Sequence, residues 1–405
     1  MFDYIKVEGF RSFKSVELEM PRLAVLIGPN GGGKSNFLDL MSLMAEAGQG
    51  HLANGIDSRG GFRSVAFGFD LISDILTEFR FQVKSLPEAF PSLPPDLSGK
   101  ERPDVRFKMG LTFGFTTTSK VRIEEVTEEP TARQPHPVSV MTRGKDGCVF
   151  RSADQGAGPG AEETKALESE SELAIFQVRD LYRYPTPYKL LKQFQEWTLY
   201  RDINVGPEAP ARLPALLRPT TRLSENGANL SPVLHTIKER HHETWTEIVE
   251  VLHTACPVFQ DIRIPGEGGD GKVVLRWFEE PYEKEGVSAN FLSDGTLKLL
   301  CLVAILKSPD PPPLICIDEP ELGLHPDWIK MVAELLQDAA DRTQVIVATH
   351  SPHIVEGLEP DQIIVTEKEN GETRLERLST KDLEKWLKDF NLADLWLAGH
   401  FGGRP

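Results

Sequence analysis

The sequence predicts an α/β fold with a parallel sheet at its core, and three observations predict it. Leu23–Ile27 is an unbroken apolar run that leads into a glycine cluster and then a helix-forming stretch, LAVLIGPNGGGKSNFLDL. Residues 288–366 alternate helix and strand: helix 295–307, strand 313–317, helix 326–340, then strands 344–349 and 362–366. Continuous apolar strands between amphipathic helices belong to sheets covered on both faces. Period-two alternation at 77–84 (LTEFRFQV), 105–115 and 120–126 adds antiparallel strands around the proline-rich stretch 86–103.

In chain order, Tyr4–Val7 and Val16–Glu19 alternate apolar and polar residues about a turn, which reads as a strand hairpin before the buried run. Residues 34–47 place Phe37, Leu38, Met41 and Met44 at spacings of three and four, one apolar stripe of a helix. Residues 127–170 are rich in Pro, Gly, Ser and Glu and read as a flexible surface insertion. From about 172 to 257 the pattern is mostly helical, broken at Pro185, Pro187 and 207–219, with short strands at 259–264 and 272–279. Four segments result: 1–170, 171–284 (a helical lobe), 285–366, and an extension, 367–405. In the last, Trp386, Leu392, Leu395 and Trp396 are suited to docking a terminal helix or a partner.

Composition excludes several classes. At 405 residues with 40% hydrophobic and 26% charged residues, the chain has a globular make-up. A net charge of −16 excludes coating of nucleic acid by bulk electrostatics and leaves only a local basic face. The apolar run Leu299–Leu306 is too short to span a bilayer, and MFDYIKVEGF lacks the apolar core of a signal peptide. Cys148, Cys256, Cys301 and Cys316 are scattered, which suggests neither a disulfide framework nor a zinc site. A cytoplasmic setting with no membrane contact is expected.

The chemistry starts at Gly28-Pro29-Asn30-Gly31-Gly32-Gly33-Lys34-Ser35-Asn36. It fits G-x-x-x-x-G-K-[ST] after a strand and before a helix, the context of a P-loop. Glycines allow the tight turn that aims backbone N–H groups at phosphate oxygens, and the helix start adds its positive dipole end. Lys34 supplies a cation for the β- and γ-phosphates, and the Ser35 hydroxyl a ligand for Mg²⁺. ATP and Mg²⁺ are therefore the expected cofactors. The strand Leu314–Ile317 ends in Asp318-Glu319, an acid placed to hold Mg²⁺ and a second placed as general base on water. Ser293-Asp294-Gly295 precedes a helix, another arrangement suited to phosphate. His350 follows the strand Gln344–Thr349, at the end where α/β sheets place functional groups.

The ordered set GPNGGGKSN, LSDGT, ICIDEPELGLHP and VIVATHSP resembles the ABC-type ATPase heads of the RecF and SMC class. Within that class it is similar to the compact bacterial ATPases with RecF-like AAA domains. GFRSFKSVELE resembles their N-terminal hairpin, and SRGGFRSVAFGF, around Arg59, their arginine loop, which reaches nucleotide phosphates or nearby DNA. The likeness covers residues 1–70 and about 285–366 closely. It implies a head with a P-loop sheet core, an antiparallel β subdomain and a helical lobe, in which 1–170 and 285–366 are the two ATPase lobes. It further implies a homodimer on ATP, in which Ser293 and Gly295 of one copy cap the nucleotide on the other copy's P-loop. His350 would be the switch histidine, and the stretch after Pro320 the D-loop. Asp294 departs from the glycine of transporter-type motifs. Gln177 and Gln49 are both candidates for the Q-loop glutamine.

The expected activity is ATP hydrolysis, coupled to DNA maintenance or to defence against foreign DNA. The alternative is a nucleotide-controlled scaffold that regulates an effector protein without touching DNA. Residues 179–222 bear on this choice. Arg179, Arg183, Lys189, Lys192, Arg201, Arg212, Arg218 and Arg222 face only Asp180, Glu196, Asp202 and Glu208, with Tyr182, Tyr184, Tyr188 and Tyr200 interleaved. Such a mixture suits a nucleic-acid backbone, and equally an ordinary lobe with solvated cations and packed aromatics.

Overall fold

The computed structural model describes residues 1–70, 72–82, 104–113, 119–131, 134–145, 147–153, 161–280, 282, 284–384 and 386–401. The chain divides into two compact units that interleave in sequence. The first comprises Met1–Arg22, Gly28–Trp197 and Ile364–Leu378; the second comprises Leu23–Ile27, Thr198–Ile363 and Ser379–Pro405. This differs from a linear division at 170, 284 and 366, because single strands are exchanged between distant stretches of chain.

In the first unit, alternating residues build one antiparallel sheet. Its order is Phe13–Glu19, Phe2–Phe10, Ile75–Phe81, Val105–Phe113, Ser119–Glu128, Val138–Arg143, Cys148–Arg151 and Glu162–Lys165. Register follows the pattern: Val7 lies opposite Val16 and Thr77, and Phe79 opposite Phe107. Ile75, Thr77, Phe79 and Phe81 therefore share the buried face. There Phe79 meets Phe2 at 5.3 Å between ring centroids, and Phe194 meets Phe107 at 5.1 Å and Trp197 at 4.9 Å. Edge-to-face packing of this kind adds about 0.5–1.5 kcal/mol per pair beyond area burial. The helix Lys34–Gly48 approaches the helix Pro185–Glu196 at Gly48, where a Cβ would stand 2.6 Å from that of Phe194.

The last three strands of this sheet correct the reading of 127–170 as a flexible insertion. Val138–Arg143 pairs with Ser119–Glu128 and carries Cys148–Arg151 and Glu162–Lys165 behind it. Cys148 and Phe150 are buried. The strands are too short for their alternation to stand out among prolines and glycines. Residues 154–160 and the whole of the proline-rich stretch 86–103 lie outside those described.

The second unit holds the parallel sheet. Thr198–Tyr200, Leu314–Asp318, Gln344–Ala348 and Leu23–Ile27 lie side by side in that order. Leu314–Asp318, Gln344–Ala348 and Leu23–Ile27 are almost wholly buried, as their unbroken apolar runs require. Thr198–Tyr200 falls within the segment read as helical; three residues are too few to show a period. Helices Asp294–Leu306 and Pro326–Ala340 follow the expected spans. Helices Leu230–Arg240 and His242–Ala255 and the hairpin Phe259–Arg263 with Arg276–Glu279 fill out the unit. Near the C-terminus, the helix Leu392–Ala398 buries Leu392, Leu395 and Trp396, whereas Trp386 stays 47% exposed. No helix among the described residues is long and apolar enough to cross a membrane.

Candidate functional site

Leu23–Ile27 ends in the glycine loop, and the first unit shapes that loop with residues far along the chain. Strand Ile363–Glu369 turns at Asn370-Gly371, both at positive φ, into Glu372–Arg377. This is a two-residue hairpin turn that Asn-Gly favours. The hairpin brings the buried Thr366 and Thr373 against the loop. At Gly28, φ is 148° and a Cβ would lie 2.2 Å from the Thr366 carbonyl oxygen. At Gly33, φ is 113° and a Cβ would lie 2.5 Å from the Thr373 side chain. No other residue fits either position. The Gly32 N–H donates to the Pro29 carbonyl at 3.0 Å, while Asn30 and Gly31 are exposed at the tip.

Lys34 is 6% exposed, and its Nζ donates to the carbonyls of Gly28 at 2.7 Å and Pro29 at 3.1 Å. The ammonium thus curls back over the loop it follows. The helix it opens has no side-chain cap and no acidic residue in its first turn. A 15-residue helix whose first N–H groups are uncapped, beside a buried cation, is built to receive an anion. The Ser35 side chain is exposed at this end, and Asn36 Nδ2 donates to Ser12 Oγ at 2.7 Å. These residues fit a nucleotide phosphate chain. The hydroxyl of Ser35 is a hard oxygen donor, as Mg²⁺ requires.

Arg59 does not stand in this loop. Its guanidinium donates to Asp39 at 2.9 Å and to Glu46 at 2.7 and 2.8 Å, and the side chain is 8% exposed. Asp39 also pairs with Arg11 at 2.6 Å. Two carboxylates on the P-loop helix thus hold Arg59, which the resemblance assigns to phosphate or DNA, as a brace. Gln49 stands at the far end of that helix, about 20 Å from its start at 1.5 Å per residue.

In the second unit the functional groups gather at one edge of the parallel sheet. Asp318 is in register with Ala348, and Ala348 with Leu26, the residue two before Gly28. Glu319 follows with φ of 46°, left-handed for a non-glycine residue, and its N–H donates to the Ala348 carbonyl at 2.8 Å. Such backbone costs on the order of 1–3 kcal/mol and persists where its surroundings enforce it. The turn brings Glu319 Oε1 to 3.9 Å from His350 Nε2. Glu321 Oε1 accepts from Thr349 Oγ1 at 2.7 Å and from the His350 N–H at 2.8 Å, tying the loop after Pro320 to the end of the next strand.

Ser293 caps the helix Asp294–Leu306, its Oγ accepting from the Thr296 N–H at 3.1 Å. Gly295 lies under the loop after Pro320: a Cβ there would meet the Gly323 carbonyl at 3.0 Å. Ser293, Gly295, Glu319 and His350 thus belong to one unit, as the sequence suggests. Lys298, on the same helix, is 5% exposed. Burial holds its ammonium below the ordinary lysine range, opposed in part by the carboxylates of Asp202, Glu321 and Glu319. Glu321, Thr366 and Thr373 were missed in the sequence. Asn370-Gly371 was the available signal for the two threonines.

The basic segment 179–222 is divided between the two units. Residues 179–197 belong to the first unit and 198–222 to the second. Arg183 pairs with Glu163 at 3.1 Å, Arg222 donates to the Asp310 carbonyl at 2.8 Å, and Arg212 is buried. Tyr184 and Tyr200 are buried, the latter donating to the Leu223 carbonyl at 2.7 Å.

A parallel sheet whose strand Leu23–Ile27 leads into a P-loop, a strand of the same sheet that ends in Asp318-Glu319, and a serine-capped helix define an ATPase head of the ABC and SMC type. The chain belongs to the AAA_21 family, described as "AAA domain, putative AbiEii toxin, Type IV TA system", whose model matches residues 23–138 and 210–356. It is 33% identical over 106 residues to a "Putative ABC transporter ATP-binding protein" of Methanosarcina acetivorans, covering 26% of this chain and 36% of that one. It is 39% identical over 51 residues to the Septu protein PtuA of Bacillus thuringiensis, covering 13% of each. The chain therefore spans about a third or less of the length of these curated relatives. Among solved structures, it is similar to an SMC head bound to the C-terminal winged-helix domain of ScpA. That match has TM-score 0.55 and 15% identity and covers 94% of this chain and 99% of the other. An SMC head bound to the C-terminal domain of ScpA from Pyrococcus furiosus matches with TM-score 0.52 and 12% identity, over 96% and 98% of the two chains. At these identities the likeness establishes the fold.

Proposed function

We infer that the chain binds ATP at Gly28–Asn36 and hydrolyses it, with Ser293 and Gly295 presented to the nucleotide of a second copy. The observation that carries the reading is Lys34. A buried ammonium resting on its own loop's carbonyls, at an uncapped helix start, has no structural purpose that a neutral residue would not serve better. When phosphate arrives, Lys34 exchanges those carbonyls for phosphate oxygens, and the N–H groups of the helix start hold the anion. Bound Mg²⁺, with the Ser35 hydroxyl as a ligand, would neutralise phosphate charge. Glu319 orients a water and accepts its proton, and His350 Nε2 lies 3.9 Å from that carboxylate.

Dimerisation has a direct test. A Ser293→Arg chain should bind ATP yet stay monomeric, because a bulky cation replaces the capping hydroxyl. Mixed with Lys34→Ala chains, it should recover part of the ATPase activity that each lacks alone. Full turnover by Ser293→Arg as a monomer would sink the two-copy arrangement.

Of the two downstream roles, regulation of a partner effector protein is favoured over direct DNA contact through 179–222. The arginines and tyrosines just described in that segment bond within the chain. A role in DNA maintenance or defence would then reach DNA through the partner. Mobility shift with duplex DNA, with and without ATP, decides it: tight binding by this chain alone would overturn the preference.

A further inference from the structure

The departure at Asp294 carries an inference that rests on the two-copy reading above. Asp294 places a carboxylate, 63% exposed, at the first turn of the helix that Ser293 caps. Facing a nucleotide, it would repel the γ-phosphate. Directly behind it lies Arg212, whose side chain is 3% exposed. Its Nη2 donates to Asp294 Oδ1 at 2.5 Å and to the Val205 carbonyl at 2.7 Å. Its Nη1 donates to the Leu292 carbonyl at 2.7 Å, the Ala289 carbonyl at 3.2 Å and the Asn290 carbonyl at 3.3 Å. Its Nε donates to the carbonyls of Gly206 at 2.8 Å and Val205 at 3.0 Å.

One guanidinium therefore gathers three carbonyls of the short turn that delivers Ser293, and the one side-chain charge beside it. Only arginine has enough donors in a rigid plane to do both. The carbonyls of Ala289, Asn290 and Leu292 are all satisfied by the one Nη1 of Arg212. We propose that Arg212 is the positioning residue of the LSDGT turn: it fixes the turn through its carbonyls and neutralises Asp294, so that a carboxylate is compatible with a triphosphate at Ser293. The turn thus keeps its acid because a buried arginine from another part of the unit answers it.

The test uses the full chain carrying Glu319→Gln, so that ATP persists, and reads ATP-driven dimerisation by sedimentation and ATP binding by titration of dilute monomer. Arg212→Met should leave monomer binding within about twofold and weaken the dimer roughly tenfold or more, the scale of a few buried carbonyls and one charge left unanswered. Adding Asp294→Asn to Arg212→Met should recover a good part of that loss. A merely structural arginine would not be rescued in this way, since the carbonyls stay orphaned. If Arg212→Met fails to fold, Asp294→Asn alone decides: the dimer should tighten several-fold, since Arg212 then acts on phosphate unopposed. Undiminished dimerisation by Arg212→Met, no rescue by the second change, or an unchanged dimer with Asp294→Asn alone would each overturn the proposal while leaving the two-copy reading in place. A Glu319→Gln parent that binds ATP and never dimerises would remove the reading and the proposal together.

Discussion

Thr373 Oγ1 lies 3.0 Å from the carbonyl of Gly32 and 2.8 Å from Ser12 Oγ. A residue of the hairpin Ile363–Arg377 thus holds the middle of the phosphate loop, and Ser12 passes the link to Asn36 on the P-loop helix. Thr373→Val keeps the shape and removes the hydroxyl. Leaving a buried carbonyl unpaired costs about 1–3 kcal/mol, so ATP affinity should fall roughly tenfold with little change in melting temperature. Calorimetric titration checks it; an unchanged affinity would mean that the loop keeps its shape without the hairpin.

Lys34→Ala should abolish tight ATP binding, because the helix N-terminus then lacks its phosphate-directed cation. Nucleotide titration is the measurement. A dissociation constant equal to that of the parent would remove Gly28–Asn36 as the nucleotide site.

Glu319→Gln should bind ATP normally and hydrolyse it roughly 10²–10⁴-fold more slowly, the usual cost of losing a general base. Single-turnover phosphate release reads the rate. Turnover at the parent rate would move the base elsewhere, and His350, 3.9 Å away, is the next group to substitute.

Glu124 gives a pH prediction for the first unit. Burial pushes its carboxyl up to about 6, against the N–H groups of Ile175 and Ala174 and the Arg143 guanidinium, which favour the ionised form. A raised folded-state pKa means that the native state holds the proton more tightly. The stability from this group is full below its unfolded value of about 4.5 and is lost as pH rises through about 6. Urea unfolding of the parent and of Glu124→Gln from pH 4.5 to 7 should show the gap between them changing across that window. A gap independent of pH would mean that Glu124 does not titrate there.

The parallel sheet was legible because its strands are buried on both faces and so are written as continuous apolar runs, such as LAVLI and LICI. The glycine loop and Asp318-Glu319 were legible because their chemistry needs fixed residue types at fixed spacing. What was not legible depends on distant partners. Arg59 looks like a phosphate ligand until Asp39 and Glu46 are seen around it. Arg212 looks like part of a basic stripe until the carbonyls of 289–292 are brought to it. The strands at 138–165 lose their alternation among turn residues. The hairpin at Asn370-Gly371 carried a readable turn, but nothing local says that it supports the loop at 28–35.

The pairing of Leu23 with Val345 and Leu26 with Ala348 also sets an order in time. As the ribosome proceeds at about 5–20 residues per second, the run LAVLI emerges early and its neighbour on the order of half a minute later. Throughout that interval a bare hydrophobic strand, with every backbone donor and acceptor unmatched, is held open for a partner that has not yet been made. The newborn chain is for that period a client for chaperones and a hazard to its neighbours, and the strand that leads into the nucleotide loop cannot be anchored until Gln344–Ala348 has been made.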